Sequence, residues 1–427
     1  MKKFKGKRVL VYGLGTSGQA ACKLLHEFGA CVSVYDEDRA WRTLFCYDAE
    51  PLMHSYDLVV VSPGIKVIGN SLISGFRAKK TPIISELDLG SMFCLGKIIA
   101  LTGTNGKTTT CSLLGKIFES AGKNTFVCGN IGLPISSIAN KTDKKSVIVC
   151  EVSNFQLELS CTFAPDIACV LNIAPDHIDR HESFDEYKRV KSQIFTRLKK
   201  QAVINADDKG ACALPLPKKT IFYSLYPATK GVNVRGGCIY IGKNRLINID
   251  EVPLLGEKNI SNVVAAVTIA HLCHIKPRAI KNAIMSFSPP PHRLEYVCEK
   301  DGVRYINDSK STNIACTNMA IESLNCDGLI LLMGGQNKGL VFDDFFASKP
   351  KIKSVIAFGE AGQTIMESAK KSGFYCQVAP TMEKAVEISK SISKQGDTVL
   401  LSPACASFDE FASYSARGQI FKELVSQ

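Results

Sequence analysis

Apolar runs of four or five residues recur along the chain, each followed by a glycine-rich or polar turn and then by a stretch with apolar positions at helical spacing. Runs this continuous suit strands covered on both faces, and their alternation with helical stretches predicts parallel α/β sheets. Arg8–Tyr12 reads as a strand, Gly13-Leu14-Gly15-Thr16-Ser17-Gly18 as a tight turn, and Gln19–Phe28 as a helix. A second strand, Cys31–Tyr35, ends at Asp36, where a nucleotide-binding βαβ unit carries its acidic residue. A third strand, Leu58–Ser62, runs into Pro63-Gly64, a loop of the kind in which open α/β sheets hold ligands. The glycine pattern alone serves equally as a turn that packs a helix on a sheet.

A second series opens at Lys97–Leu101 and continues through strands at Ser146–Glu151, Ile167–Asn172 and Ala202–Asn205. Pro289-Pro290-Pro291 cannot continue a helix and marks a linker. Strands near Tyr305–Asn307, Leu329–Met333, Ser354–Phe358 and Thr398–Leu401 form a third series. With 427 residues, more than one core is required. The expectation is three α/β domains, each with a largely parallel sheet, at residues 1–95, 96–291 and 292–427.

Composition narrows the setting. The chain is 45% hydrophobic and 22% charged, which excludes disordered and collagenous classes. No apolar run approaches the roughly 18 residues of a membrane span, and the basic first ten residues lead straight into the glycine turn without a signal-peptide core. A cytoplasmic protein without membrane insertion is expected. Seventeen scattered cysteines with no CxxC spacing disfavour disulfides and zinc, so they are expected to be reduced and mostly buried. The net charge of +12 is dispersed and lacks an aromatic platform, so polyanionic small substrates or solvated surface charge account for it without a nucleic-acid partner.

The sharpest chemical signal is Thr102-Gly103-Thr104-Asn105-Gly106-Lys107-Thr108-Thr109, between an apolar strand and the helical pattern Cys111–Ser120. Backbone N–H groups freed by the glycines and a helix N-terminus suit phosphate, Lys107 reaches the terminal phosphates, and Thr108 suits magnesium. Leu101 stands where the common eight-residue pattern has its first glycine. Glu151, ending an apolar strand, is placed to hold a metal on the phosphates; without the loop it would read as a cap or a solvated charge. His177, in Asn172-Ile173-Ala174-Pro175-Asp176-His177-Ile178-Asp179-Arg180-His181, is flanked by groups able to fix its tautomer. Tyr187, Lys191 and Ile194 share a helical face, on which a lysine ordinarily snorkels to the surface.

The phosphate loop, GNIG at Gly129, EVSNFQLE at Glu151, DHIDRH at Asp176, HRLE at His292, NDSKSTN at Asn307 and SPACASFDEF at Ser402 together resemble the Mur ligase superfamily, in family order across all three segments. The resemblance implies a Rossmann-like UDP-binding domain, a central P-loop-type ATPase domain and a Rossmann-like C-terminal domain that binds an amino acid. It implies an ATP-dependent amide-forming ligase that activates a carboxylate as an acyl phosphate, and among the family's reactions the addition of D-glutamate to UDP-N-acetylmuramoyl-L-alanine. The alternatives are another member of the superfamily, a folylpolyglutamate synthase-like amide ligase, or a catalytically silent nucleotide-binding scaffold.

By the same resemblance, Gly103, Thr104, Asn105, Gly106, Lys107, Thr108 and Thr109 hold ATP, with Asn259 and Asn262 on adenine and Arg293 and Asp308 on the nucleotide. Lys258 stands where the family usually has His. Two magnesium ions are implied, one on Thr108 and Glu151, the other served by His177 and a carbamylated Lys191. Gly15, Thr16, Ser17, Asp36, Pro63 and Gly64 would take the UDP end of the substrate, and Asn130 and His177 its sugar-linked part. Lys310, Thr312, Lys338, Ser407 and Tyr414 would surround D-glutamate, and a monomer is expected.

Overall fold

The protein is described from a computed structural model covering residues 4–427 except 45, 177, 228–230, 255, 289, 290, 325, 338 and 349; for 39, 178 and 179 only the backbone is described. His177, Lys338 and the first two prolines of the expected linker therefore lie outside the described residues. The chain divides into two compact units, Met1–Pro253 with Ile260–Phe287, and Leu254–Asn259 with Ser288–Gln427.

The first unit holds two parallel sheets. Strands β1 (Arg8–Tyr12), β2 (Cys31–Tyr35), β3 (Leu58–Val61) and β4 (Ile83–Ser85) form one, in the order β2-β1-β3-β4. Its two faces are covered separately: Val9, Val11 and Val60 pack with Leu24 and Leu25 on one side, and Leu10, Tyr12, Val59 and Val61 with Ile73 and Phe76 on the other. Strands β5 (Lys97–Thr102), β6 (Thr125–Gly129), β7 (Val147–Glu151), β8 (Ile167–Val170), β9 (Gln201–Asn205) and β10 (Thr220–Tyr223) form the other, in the order β10-β9-β8-β5-β7-β6. In both sheets the chain crosses from one side of the first strand to the other, after β2 and after β7, so crevices open at the carboxyl ends of β1 and β5. Both glycine loops lie there.

A three-stranded antiparallel sheet follows, β11 (Val232–Arg235), β12 (Cys238–Ile241) and β13 (Asn244–Asn248), which lies outside the expected strands although Cys238–Ile241 is an apolar run. In the second unit, β14 (Glu295–Lys300), β15 (Val303–Asn307), β16 (Leu329–Gly334), β17 (Ser354–Phe358), β18 (Cys376–Ala379) and β19 (Thr398–Ala404) are ordered β14-β15-β19-β16-β17-β18. Edge strand β14 runs antiparallel to β15, and the other strand pairings of this sheet among the described residues are parallel.

Both glycine-loop helices begin earlier than their apolar periodicity suggests, Thr16–Glu27 rather than Gln19–Phe28 and Lys107–Ser120 rather than Cys111–Ser120. Their first turns face the crevice and are polar, so periodicity is silent there. All seventeen cysteines are free, but only seven are fully buried and four are exposed, which corrects the expectation that most lie in the core.

Asp88 joins the first sheet's layer to the second. It lies in the short helix Glu86–Ser91 and is fully buried. Its carboxylate accepts from the amide and hydroxyl of Ser85, the Ser160 hydroxyl and the amides of Cys161, Thr162 and Phe163, at 2.7–3.2 Å. Removing an acceptor that satisfies so many buried donors leaves them orphaned. Asp88→Ala is expected to lower unfolding free energy by about 3 kcal/mol or more, read from urea melts; a loss below about 1 kcal/mol would show that water replaces the carboxylate.

Candidate active site

The loop between β5 and the helix Lys107–Ser120 is pinned from its neighbour β8. Asn105 N–H donates to Asn172 Oδ1 (2.8 Å), Asn172 Nδ2 returns a bond to Asn105 O (3.0 Å), and Thr104 N–H donates to Asn172 O (3.0 Å). Thr104 Oγ1 also meets Tyr187 Oη at 3.0 Å. Gly106 is left-handed (φ +80°), and a Cβ there would stand 2.2 Å from Asn262 Oδ1, so Asn262 lies directly on the loop. The loop thus reaches the helix N-terminus in a fixed path, with backbone N–H groups available to an anion.

Two lysines converge on one loop carbonyl. Lys107 Nζ donates to Gly103 O (2.9 Å) and Thr104 O (2.8 Å), and Lys191 Nζ donates to Gly103 O (3.1 Å) and Thr102 Oγ1 (3.5 Å). Lys191 does not snorkel: it is 1% exposed. Burial, reinforced by the charge of Lys107 and opposed by Asp176, holds its amine well below the usual lysine range. The amine is thereby easier to deprotonate than that of an exposed lysine.

Glu151 closes β7 in register with Leu101 of β5 and Gly129 of β6. Its Oε2 accepts from Thr108 Oγ1 (2.9 Å) and its Oε1 from Asn130 Nδ2 (2.9 Å). A hydroxyl and a carboxylate at the mouth of a phosphate loop are hard oxygen donors and fit magnesium, whose remaining positions would go to phosphate and water. Among the described residues, no group of three or more His, Cys, Asp or Glu gathers as a metal cage.

At the first sheet, Asp36 turns back onto the glycine loop: its Oδ2 accepts from Leu14 N–H (2.5 Å) and its Oδ1 from Asp38 N–H (2.9 Å). Its carboxylate is thus engaged in holding the loop. Gly15 precedes the helix whose first turn contains Thr16 and Ser17, and a Cβ on Gly15 would meet nothing within 4 Å, leaving the loop open to a ligand. Gly18 has no such room, since a Cβ would lie 1.8 Å from Gly13 O. Pro63 and Gly64 follow β3 beside this loop, with Ser62 Oγ donating to Gly13 O (2.6 Å).

The second unit carries its own cluster. Asp308 is buried, accepts from Leu294 N–H (3.1 Å) and Ser402 Oγ (2.8 Å), and is pushed by burial up to about 6 despite these bonds and nearby Arg293. Arg293 Nε is buried with no hydrogen-bond partner among the described residues, an orphaned donor suited to an anion. Lys310 Nζ lies 5.1 Å from the Tyr414 ring centre; burial raises the Tyr414 phenol, but the charge and hydrogen bond of Lys310 outweigh it and hold the pKa below the usual value. Ser407 is buried, Thr312 is exposed, and Lys258 pairs with Glu322 (2.6 Å). Asn259 falls in the Leu254–Asn259 segment of this unit.

Sequence reasoning missed Arg417, which is fully buried and donates to Ser309 Oγ and O, Gly334 O, Cys405 O and Ala406 O at 2.9–3.4 Å. It fixes the loops carrying Lys310 and Ser407. The available signal was its spacing: positions 417, 421 and 425 place an arginine on the stripe of buried Phe421 and Val425.

Residues 101–270 match the Mur ligase middle domain, and residues 292–405 the Mur ligase, glutamate ligase domain. A Pelotomaculum thermopropionicum protein named UDP-N-acetylmuramoylalanine–D-glutamate ligase is 39% identical, the match covering 100% of this chain and 98% of its own. One of the same name from Thermoanaerobacter sp. (strain X514) is 37% identical over 99% of each. The MurF ligase of Thermotoga maritima, solved in complex with ADP, shares the fold at a TM-score of 0.60 and 16% identity, over 100% of this chain and 96% of its own. With two domain matches in order and full-length relatives well above 30% identity, the chain belongs to the Mur ligase family.

Proposed function

We propose that the chain joins D-glutamate to UDP-N-acetylmuramoyl-L-alanine, coupled to ATP cleavage, as its full-length relatives are named to do. It is an ATP-dependent amide-forming ligase of peptidoglycan precursor synthesis, and the reading adds where each step occurs. Residues 1–95 take the UDP end, 96–291 take ATP, and 292–427 take the amino acid. The observation that carries the site assignment is the convergence of Lys107 and Lys191 on Gly103 O, beside the Thr108–Glu151 pair.

A carboxylate is a poor electrophile, so the substrate carboxylate first attacks the γ-phosphorus of ATP, and the bond to the ADP oxygen breaks. Lys107 leaves its loop carbonyls to follow charge on the transferring phosphoryl group. The amine of D-glutamate then adds to the acyl phosphate, a proton is lost, and phosphate departs. Lys310, Lys338, Thr312, Ser407 and Tyr414 supply cations and hydroxyls for a dicarboxylate, and Arg417 holds the loops of Lys310 and Ser407. Asn259 and Asn262 would recognise adenine, and Arg293 and Asp308 would serve the nucleotide.

Magnesium bound by Thr108 and Glu151, and a second ion served by His177 and carbamylated Lys191, would neutralise the repulsion between phosphates and carboxylate. Lys191 suits carbamylation because a neutral amine, not an ammonium, reacts with carbon dioxide. Among the described residues no helix is long and apolar enough to cross a membrane; a cytoplasmic monomer completes the reading.

Purified protein given ATP, magnesium, UDP-N-acetylmuramoyl-L-alanine and D-glutamate is expected to release phosphate in equal amount to amide formed, and far less when either organic substrate is omitted. Absence of release with all components would overturn the ligase reading. Release supported by L-glutamate alone would overturn the amino-acid assignment.

A further inference from the structure

Arg180 lies in the short helix Ile178–His181 and aims its guanidinium out of the second sheet's layer into the first. Its Nε and Nη2 form a fork onto Glu158, at 2.8 and 2.7 Å. On its far edge, Nη2 donates to Ile65 O (2.8 Å) and Pro63 O (3.1 Å), and Nη1 to Gly64 O (3.4 Å). The ring of Phe155 lies 4.1 Å beneath the guanidinium carbon. Three consecutive carbonyls turned toward one cation form an arrangement that repels itself unless a charge holds it, and a planar fork can serve a carboxylate and that edge together, whereas an ammonium cannot.

Contacts extend from both ends of this strap. The Ile65 side chain stands 3.0 Å from where a Gly13 Cβ would be, so the turn bears on the first glycine loop. At the other end, Glu158 Oε1 lies 3.7 Å from His181 Nε2, the His181 ring packs edge-on to Tyr187 at 5.6 Å, and Tyr187 meets Thr104 of the phosphate loop. One side chain thus stands between the two glycine loops.

We propose that Arg180 is a positioning residue that locks the Pro63-Gly64-Ile65 turn and thereby sets affinity for the UDP-bearing substrate, without touching the reacting atoms. The proposal rests on the reading that the first sheet's loops take the UDP end. With the strap in place, that end is held in register with the phosphate loop, and a free turn would have to be ordered by the substrate itself.

The test uses the full chain and initial rates with each substrate varied in turn. Arg180→Met keeps the aliphatic stem and removes every donor; it is expected to raise KM for UDP-N-acetylmuramoyl-L-alanine roughly ten-fold or more, while KM for ATP and for D-glutamate changes by less than about three-fold. Arg180→Lys should be impaired in the same constant, because it lacks the fork. Glu158→Gln, which leaves the arginine in place, should raise the same KM, and the double variant should be no worse than Arg180→Met, since both act through one contact. If Arg180→Met does not fold, Glu158→Gln and Arg180→Lys carry the same comparison. An unchanged KM for the UDP substrate in folded variants overturns the proposal, as does a parallel deterioration of all three KM values with a lowered melting temperature, the mark of a merely structural role. Failure of the parent protein to saturate with the UDP substrate would instead overturn the underlying site reading, whatever the variants do.

Discussion

Replacing Lys107 with alanine is expected to lower kcat by about three orders of magnitude while leaving the melting temperature close to that of the parent. The Lys107 ammonium is the charge at the phosphate loop, and it donates to Gly103 O and Thr104 O, carbonyls that water can serve in its place. The side chain is only partly buried, so truncation opens no core cavity. The loop's path is set by Asn172, Thr104 and Asn262, none of which the substitution removes. Lys107→Arg should recover little, because a planar fork cannot take the place of a compact charge in a turn this tight. Phosphate release and a thermal melt on the same sample decide the matter, and a variant retaining more than about a tenth of parental kcat would remove Lys107 from the phosphoryl-transfer step.

The strands legible in the sequence were those covered on both faces, such as Val147–Glu151 and Leu329–Gly334, because continuous burial leaves a continuous apolar run. Val232–Asn248 was not legible as strands: its three segments are four or five residues long and joined by tight turns with no helical pattern between them, so the apolar run Cys238–Ile241 stands outside the strand–helix alternation that marks the parallel sheets. Strand β14 was missed because it is an edge strand with no fully buried residue. The site divides in the same way. Lys107, Thr108 and Glu151 announced themselves because a phosphate loop has a fixed spacing on a strand–turn–helix frame. Asp88 and Arg180 carry no such spacing, and Arg417 shows only its place on the Phe421–Val425 stripe; each is a charge whose value lies in donors or carbonyls delivered from distant sequence.

Lys191→Ala is the second substitution with a large expected effect, a loss of at least about 10²-fold in kcat, partly reversed by high concentrations of short-chain carboxylic acids. The side chain fills a buried slot between Tyr187, Gly103 and Thr102, so its removal leaves a space a small acid can enter, supplying the anionic oxygens that the proposed carbamate would supply. The pH dependence of stability gives an independent readout without substrates. Lys191 binds its proton less tightly in the native state than in the unfolded chain, where the ordinary value is 10.5. The unfolded state therefore holds more protons between the depressed native value and 10.5, and parental stability rises with pH across that window; the alanine variant lacks this slope. A fully active variant would remove Lys191 from the site, and a loss that no acid restores would remove the carbamate while keeping the lysine. A slope identical in parent and variant would mean that the amine is not held neutral, and carbon dioxide would then have no nucleophile there to meet.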